Sequence, residues 1–275
     1  MRFMTFNLRF ENDRDGDNAW VHRREQVVRL IRRYEPDILG TQEGRWVQLQ
    51  FLEDGLPDYV LHAPDRVIDD TCQYPTLFVR KQAFDVVGGD EFWLSTAPRV
   101  HRSQDWDSAF PRMMSAAELT CRRTRKSLWA VVTHLDHKGQ EARYRQASIV
   151  ADWIAEREGP ATVMGDFNDT PDSRAHRVLV SNRTRLQDTW QALDGDGTEA
   201  GFTHHGFDGV PQQTRMDWIL VRPSLVVQDV RILRDNEDGR YPSDHFPYIA
   251  DVAFRDSPGV EAGPDSVIVV RDSCS

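Results

Sequence analysis

The stretch ATVMGDFND, residues 161–169, holds the most informative pattern in the sequence. Its first six residues are mostly apolar and predict a short buried strand. Asp166 and Asn168 stand where this strand ends, and an Asx turn would account for them as well as a functional role would. Polar groups at strand ends can converge at one edge of a sheet, where binding and catalytic groups commonly gather.

Outward from this stretch, other predicted strands also carry polar residues at their ends. The strands are expected at residues 1–10, 37–42, 127–135, 216–221 and 248–254. The polar residues at or beside their ends are Asn7, Glu43, His134, Asp217 and the pair Asp244-His245. Each of these alone also fits a turn, a helix start or a satisfied core position. Their recurrence favours one shared site.

Helical periodicity separates several of these strands. Apolar residues at i, i+3, i+4 and i+7 predict a helix over 20–34 that Pro36 closes, and further helices are expected at 45–52 and 141–157. Two more strands are expected at 76–80 and 91–94, and a long surface loop at 95–112. Strands outnumber helices, so we expect mixed sheets covered by helices.

No linker is evident in the chain. Residues 1–255 are expected to form one domain, and 256–275 a C-terminal tail whose apolar run Val267–Val270 is an edge strand or a docked segment.

Composition narrows the classes of function. The 275 residues contain 34 Lys and Arg against 44 Asp and Glu, a formal charge of 34 − 44 = −10. Such a charge disfavours tight, sequence-independent binding of nucleic acid but allows a small phosphorylated substrate held through a metal ion.

No apolar run approaches the ~20 residues of a membrane span. Three cysteines without a CxxC pair, and a start that lacks an apolar leader, predict a cytoplasmic protein.

The residue types at the strand ends suit a hard divalent cation. Glu43, Asp166 and Asp244 offer carboxylates, and Asn7 and Asn168 offer amide oxygens. These are the ligands that Mg²⁺ prefers, with Mn²⁺ as a substitute, whereas the lack of a cysteine or HExxH pattern disfavours structural zinc. Together they are suited to metal-assisted attack of water on phosphorus.

Six short motifs resemble the endonuclease/exonuclease/phosphatase superfamily in their order along the chain. They are TFNLR (5–9), TQEG (41–44), THLDH (133–137), GDFND (165–169), MDWIL (216–220) and SDHFP (243–247). FWLS (92–95) and WDSAFPR (106–112) resemble a bacterial branch, mostly of unassigned substrate. The resemblance implies an α+β fold, a four-layer αββα sandwich of two packed mixed β-sheets flanked by helices.

The resemblance also implies roles for individual residues. Glu43 would be the principal metal ligand, with Asn7 beside it and Asp244 as a further ligand or supporting acid. Asp166 would orient or deprotonate the attacking water, and Asn168 would hold that water or the phosphate. His134 would donate a hydrogen bond to a phosphate oxygen. Asp217 would fix the tautomer of His245, which would contact the phosphate or assist proton transfer.

Substrate contacts are less strongly marked. Arg112, Asp136, Arg143 and Trp106 are candidates, although each also fits a salt bridge or a packing role. His204-His205 lies in a polar loop, and we assign it no role. Gln73 stands where related sequences often have an acid, and residues 65–70 match the family's loop only in part, so inference of the substrate by analogy is weakest there.

Three functions follow from these observations. The first is an Mg²⁺-dependent phosphatase or phosphodiesterase that acts on a small phosphoester. The second is a nuclease that cleaves DNA or RNA, for which the basic stretch Arg122–Lys126 is one candidate contact, although such a run usually forms a solvated hairpin end. The third, an inactive binding module, fits less well because every principal position is filled.

Overall fold

Two six-stranded sheets form the body of the protein. The computed structural model describes residues 1–64, 66–193, 195, 198 and 201–255. In spatial order, the first sheet contains β11 (Leu225–Ile232), β12 (Tyr248–Phe254), β1 (Arg2–Asn7), β2 (Ile38–Gly44), β4 (Tyr74–Arg80) and β3 (Tyr59–His62). The second contains β5 (Phe84–Trp93), β6 (Met113–Cys121), β7 (Ser127–His134), β8 (Ala161–Asp166), β10 (Asp217–Val221) and β9 (Gln187–Asp188). Both sheets are mixed, because β1 pairs with β2 and β7 with β8 in parallel.

Helices cover the outer face of each sheet. The helices α1 (Trp20–Tyr34) and α2 (Trp46–Gly55) bury residues such as Ile31 and Leu52 against the first sheet. The helices α3 (Gln140–Ala155) and α4 (Arg174–Leu179) bury Ile154 and Leu179 against the second. The apolar stripe of each helix therefore finds its partner on a sheet face.

Besides the apolar clusters between the helices and each sheet, a third apolar core lies between the two sheets. Phe3 and Ile38 of the first sheet pack with Val132 and Met164 of the second, and all four are completely buried. The packing is close at Gly40, where a Cβ atom would lie 2.8 Å from Met164 Sδ. The arrangement is a four-layer αββα sandwich, which confirms the expected fold class.

The element boundaries correct several sequence predictions. The strand expected at 91–94 is the end of the longer β5, and β3, β6, β9, β11 and the short α4 were not predicted. The segment 95–112 is irregular, as expected. The run Val267–Val270 and the tail 256–275 lie outside the described residues. No helix in the described part of the chain is both long and apolar enough to cross a bilayer.

Candidate functional site

Strand register brings three polar residues together at one end of the second sheet. Asp166 at the end of β8 pairs in register with His134 at the end of β7 and with Asp217 at the start of β10. The first sheet contributes from the same end, because Asn7 closes β1 and Glu43 lies near the end of β2. A register shift in β2 between Thr41 and Gly44 and a φ of 63° at Glu43 set the course of the chain there.

Asp166 lies at the centre of this group and is 1% exposed. Its Oδ2 accepts a 2.9 Å hydrogen bond from Asn7 Nδ2, and its Oδ1 accepts one of 2.9 Å from the backbone N–H of Asn168. The same Oδ2 lies 3.5 Å from His134 Nε2 and 3.9 Å from His245 Nε2. Burial and the nearby Asp217 carboxylate raise the pKa of Asp166, although His245 opposes that rise. A carboxylate with a raised pKa suits proton transfer near neutral pH.

Asn7 joins the two sheets across the site. Its Nδ2 also donates to Glu43 Oε1 at 3.1 Å, and its Oδ1 accepts from the backbone N–H of Arg9 at 2.9 Å. The amide nitrogen therefore faces the carboxylates of Glu43 and Asp166 while the oxygen faces away. In this orientation Asn7 holds two carboxylates together, and its contact with a cation stays a prediction.

The side chain of Asn168 fixes the tautomer of His134. Asn168 Nδ2 donates to the carbonyl oxygen of Leu135 at 3.0 Å, which only a nitrogen can do. The same nitrogen lies 2.9 Å from His134 Nε2, so that ring nitrogen is an acceptor. Burial and the charge of Arg112 place the pKa of His134 well below its usual range, which keeps the ring neutral. The expected hydrogen bond from His134 to a phosphate would therefore have to come from Nδ1, the nitrogen that carries the proton.

Asp217 and His245 form a buried ion pair. His245 Nδ1 lies 2.8 Å from Asp217 Oδ2, as the sequence resemblance implied. Asp217 Oδ1 is buried without a hydrogen-bond partner among the described residues. His245 in turn lines the cleft beside the predicted metal ligands.

The acidic groups could hold a cation. Ligand atoms of Glu43, His134 and Asp166 lie within 4.8 Å of one another, as do those of His204, Asp244 and His245. Glu43 Oε2 also accepts from the backbone N–H of Phe10 at 3.1 Å, which orients its carboxylate. Three carboxylates and three histidines make up the two sets, without a cysteine, and the carboxylate oxygens suit a hard divalent cation.

A cleft of about 580 Å³ opens over these groups, a size suited to a small ligand. Besides the acids and His134, Asn168 and His245, it is lined by four arginines and several aromatic rings. The arginines are Arg9, Arg45, Arg102 and Arg112, and the rings are those of Phe10, Trp93, Phe110, His137 and His204.

Two of these arginines have an Nε that makes no hydrogen bond with the described residues. Arg9 is held by Asp15 at 2.9 Å, and Arg102 by Asp69 at 3.1 Å. Arg45 Nε and Arg112 Nε, in contrast, are buried without a hydrogen-bond partner in the described part of the chain. An acidic protein thus presents cationic donors inside its cleft, which favours an anionic ligand.

Three predicted substrate contacts have other partners. The described residues that line the cleft include Arg112 but not Asp136, Arg143 or Trp106. Asp136 is completely buried, and Arg143 donates to the Asp136 carbonyl oxygen at 2.9 Å and to Asp169 at 3.3 Å. Trp106, with a φ of 57°, lies outside the cleft and is 39% exposed. Asp136 and Arg143 have partners within the fold, and contact of these three residues with a substrate stays a prediction.

Sequence reasoning missed several residues that line the cleft. Arg45 and Arg102 belong to none of the quoted motifs, and Arg9, the last residue of TFNLR, was assigned no role, so only the fold shows that these arginines face the site. His204, to which no role was assigned, lies there with its ring centroid 5.1 Å from that of His245. A clue was available for Phe110, because it belongs to the WDSAFPR motif.

The fold and site together define a phosphoester hydrolase of the αββα sandwich class. The Endonuclease/Exonuclease/phosphatase family matches residues 4–245, and the chain belongs to this family. Among functionally curated proteins, a search found no match.

Solved structures share the fold over nearly the whole chain. An endonuclease/exonuclease/phosphatase from Bacteroides vulgatus is 32% identical with a TM-score of 0.83, covering 92% of this chain and 98% of its own. A mannosyl-6-phosphatase from Bacteroides thetaiotaomicron is 28% identical with a TM-score of 0.81, covering 92% and 100%. D. rerio TDP2, in complex with a single-strand DNA product, is 18% identical with a TM-score of 0.74, covering 92% and 98%. The last likeness shows the fold alone.

Proposed function

We propose that residues 1–255 form one catalytic domain that hydrolyses a small phosphomonoester or phosphodiester with the help of Mg²⁺, for which Mn²⁺ can substitute. The observation that carries the proposal is the position of Asp166. Its buried carboxylate lies among Asn7, Asn168, His134 and His245, below a cleft lined by the further acids Glu43 and Asp244. A cytoplasmic location belongs to the same proposal, since Cys72 and Cys121 are free thiols.

The residues present fit a divalent cation. Glu43 and Asp244 would hold it directly, and Asn7 would keep the Glu43 carboxylate in place through the 3.1 Å hydrogen bond. When bound, the cation would polarise a phosphoryl oxygen and lower the pKa of a bound water.

The side chains then divide the remaining work. Asp166 accepts a proton from the attacking water, which its raised pKa permits. His245, charged through its pair with Asp217, offers Nε2–H to a phosphoryl oxygen as negative charge develops there. Arg112, which lines the cleft, binds the phosphate, because a guanidinium matches the geometry of its oxygens. Asn168, placed by its bond to Leu135, presents its amide oxygen to the water.

The chain is 28% identical to a mannosyl-6-phosphatase over the whole of that chain, so sugar phosphates are among the substrates to be tested. A cleft with aromatic rings and arginines suits a compact phosphorylated sugar. We would measure turnover of p-nitrophenyl phosphate, bis(p-nitrophenyl) phosphate and hexose 6-phosphates with Mg²⁺ or Mn²⁺, and again with a chelator. Absence of chelator-sensitive turnover on the whole panel would contradict the proposal.

Two variants within one motif sharpen this experiment. Asp166→Asn should lower kcat by about 1,000-fold while the protein remains folded, since it removes the group that takes the proton. Asp169→Asn, three residues away and paired with Arg143 rather than lining the cleft, should stay within about threefold of the unsubstituted enzyme. Equal effects of the two substitutions would refute the role of Asp166.

A nuclease is the second candidate, and the arginines and exposed aromatic surface of the cleft favour it, because bases stack on aromatic rings. The basic stretch Arg122–Lys126, however, lies at the turn between β6 and β7, at the opposite end of β7 from His134. Arg122 and Arg125 pair there with Asp85, as in a solvated hairpin end. A gel assay with single- and double-stranded oligonucleotides across a salt series distinguishes the two functions, because nuclease binding should weaken steeply with salt.

A further inference from the structure

The segment WDSAFPR, residues 106–112, forms one wall of the cleft and is held by the loop that follows β7. Phe110, Pro111 and Arg112 line the cleft, while the residues before them face the start of α3. Asp107 Oδ1 accepts from the backbone N–H of Ala142 at 2.7 Å. Gly139 allows this approach, because a Cβ atom there would lie 2.5 Å from the carbonyl oxygen of Asp107. Residues distant in sequence thus meet behind the cleft.

Asp136 is the centre of this junction. Its Oδ2 accepts from the backbone N–H groups of Ala109 at 2.8 Å and Phe110 at 3.2 Å. Its Oδ1 accepts from the backbone N–H groups of Lys138 at 2.9 Å and Gly139 at 2.7 Å. One fully buried carboxylate therefore ties the wall segment to the loop after β7. Burial alone would raise the pKa of Asp136, but these N–H groups and Arg112 keep it below the usual value, so the group is ionised at neutral pH.

The relation of Asp136 to Arg112 is electrostatic rather than a hydrogen bond. Arg112 Nε lies 3.9 Å from Asp136 Oδ2, too far for a hydrogen bond, and this Nε has no other partner in the described part of the chain. Because backbone N–H groups already occupy the carboxylate, its negative charge attracts the guanidinium without using the arginine's donors. Arg112 is 7% exposed and lines the cleft, where its Nη2 lies 3.5 Å from His137 Nδ1 and its Nε makes no hydrogen bond with the described residues.

We propose that Asp136 is a positioning residue that fixes the wall segment and presents Arg112 to the phosphate of the substrate. The inference rests on the proposed hydrolase function, and it replaces the expectation that Asp136 touches the substrate. It also relates two motifs of the sequence, because Asp136 of THLDH binds the backbone of WDSAFPR and the two stretches form one structural unit. Asp136 should therefore affect binding of the phosphate group rather than the attack of water.

A double-mutant cycle between Asp136→Asn and Arg112→Met tests this coupling. In the otherwise unsubstituted enzyme, Asp136→Asn should raise KM about tenfold and change kcat less than about threefold. In the Arg112→Met background it should change KM less than about twofold, because the group through which it acts is gone. Inorganic phosphate as a competitive inhibitor should show the same pattern in its inhibition constant. Equal effects of Asp136→Asn in both backgrounds would overturn the proposal.

Two controls separate positioning from loss of structure. Asp105→Asn removes the partner of Thr96 elsewhere in the same loop. Its effect on KM should be additive with that of Arg112→Met. If Asp136→Asn does not fold by circular dichroism, Ser108→Ala replaces it, because Ser108 Oγ contacts Asp136 Oδ2 at 3.2 Å. A rise in KM on Ser108→Ala that is absent with Arg112→Met would support the proposal, and an unchanged or additive KM would reject it. Failure of the hydrolase proposal would instead appear as an inactive unsubstituted enzyme.

Discussion

His245 Nδ1 lies 2.8 Å from Asp217 Oδ2. Asp217 begins the strand β10 of the second sheet, and His245 lies in the loop before β12 of the first sheet. Burial alone would lower the pKa of His245, but the charge of Asp217 and its hydrogen bond, together with Asp166 and Asp244, raise it to about 10. The ring is therefore cationic at neutral pH, and its Nε2–H faces the cleft. One pair thus supplies a positive charge beside the phosphate site and a contact between the sheets.

Asp217→Asn should remove that charge. Without the carboxylate, the largest contribution that raises the pKa of His245 is lost and burial lowers that pKa, so kcat at pH 7 should drop about 100-fold. Hydrolysis kinetics and a histidine NMR titration of the metal-free protein measure the two effects separately. Asp229→Asn, on the exposed strand β11, is the matched control and should change neither. A His245 signal that titrates at the same pH in Asp217→Asn would contradict the pairing argument.

Glu43→Gln should weaken cation binding without unfolding the protein. Several carboxylates surround the site, so a bound cation should stabilise the native state by about 2.7 kcal/mol at 100 times its dissociation constant, or roughly 5–10 °C in Tm. Thermal unfolding with Mg²⁺ or Mn²⁺, and again with a chelator, measures this difference. The gain in Tm should largely disappear in Glu43→Gln but persist in Glu11→Gln, which changes an acid outside the cleft lining. A full metal-dependent gain in Glu43→Gln would remove Glu43 from the ligand set.

Local pattern predicted several of the strands and helices, whereas the four-layer arrangement was implied by the resemblance to the family. The helical stripe of α1 and the apolar runs of β7 and β8 appear in the structure close to the expected residues. The strands β6 and β11 were missed for a physical reason. Met113–Cys121 contains central polar residues such as Ser115 that are buried, and Leu225–Ile232 is mostly half-buried or exposed, so neither shows a clear alternation.

The site could be predicted where a residue closes a strand, and not where it depends on the course of a loop. His134 and Asp166 follow apolar runs, so their place at the edge of the sheet follows from the sequence. Arg45 and Arg102 reach the cleft only through tertiary folding. The burial of Asp136 could not be predicted either, because its carboxylate accepts from backbone N–H groups of two loops that meet only in the fold.

A buried charge cluster behind the second sheet should govern stability in acid. Asp188 Oδ2 lies 3.0 Å from His176 Nε2 and 2.7 Å from Arg215 Nη2, and all three residues are at most 4% exposed. Burial would raise the pKa of Asp188, but the bonds to His176 and Arg215 leave it below its usual 3.8. Because the folded pKa is depressed, the carboxylate stabilises the fold above about pH 4, and this contribution is lost as the pH falls through the folded pKa.

Asp188→Asn should therefore lower the free energy of unfolding by about 3–5 kcal/mol at pH 7, since the Arg215 charge loses its partner. Urea unfolding at pH 7 and at about pH 3 measures the difference, which should shrink at the lower pH. Asp152→Asn, an exposed partner of Arg183, should cost less than about 1 kcal/mol. A difference that does not depend on pH would show that Asp188 acts by packing rather than by charge.

At Gly165, next to Asp166, the packing leaves no room for a side chain. Its φ is 152°, and a Cβ atom would lie 2.0 Å from the carbonyl oxygen of Thr133, its register partner on β7. Because a carbonyl in a paired strand cannot move alone, Gly165→Ala should push β8 away from β7 and separate His134 from Asp166. We expect kcat to fall more than about 100-fold, because small displacements of catalytic groups are costly, with a loss of stability above about 2 kcal/mol. Gly159→Ala, also at positive φ but with no atom near its Cβ position, should be destabilising by a smaller amount and should leave kcat unchanged. Comparable kcat values for the two variants would show that the close approach of β7 and β8 does not set the geometry of the site.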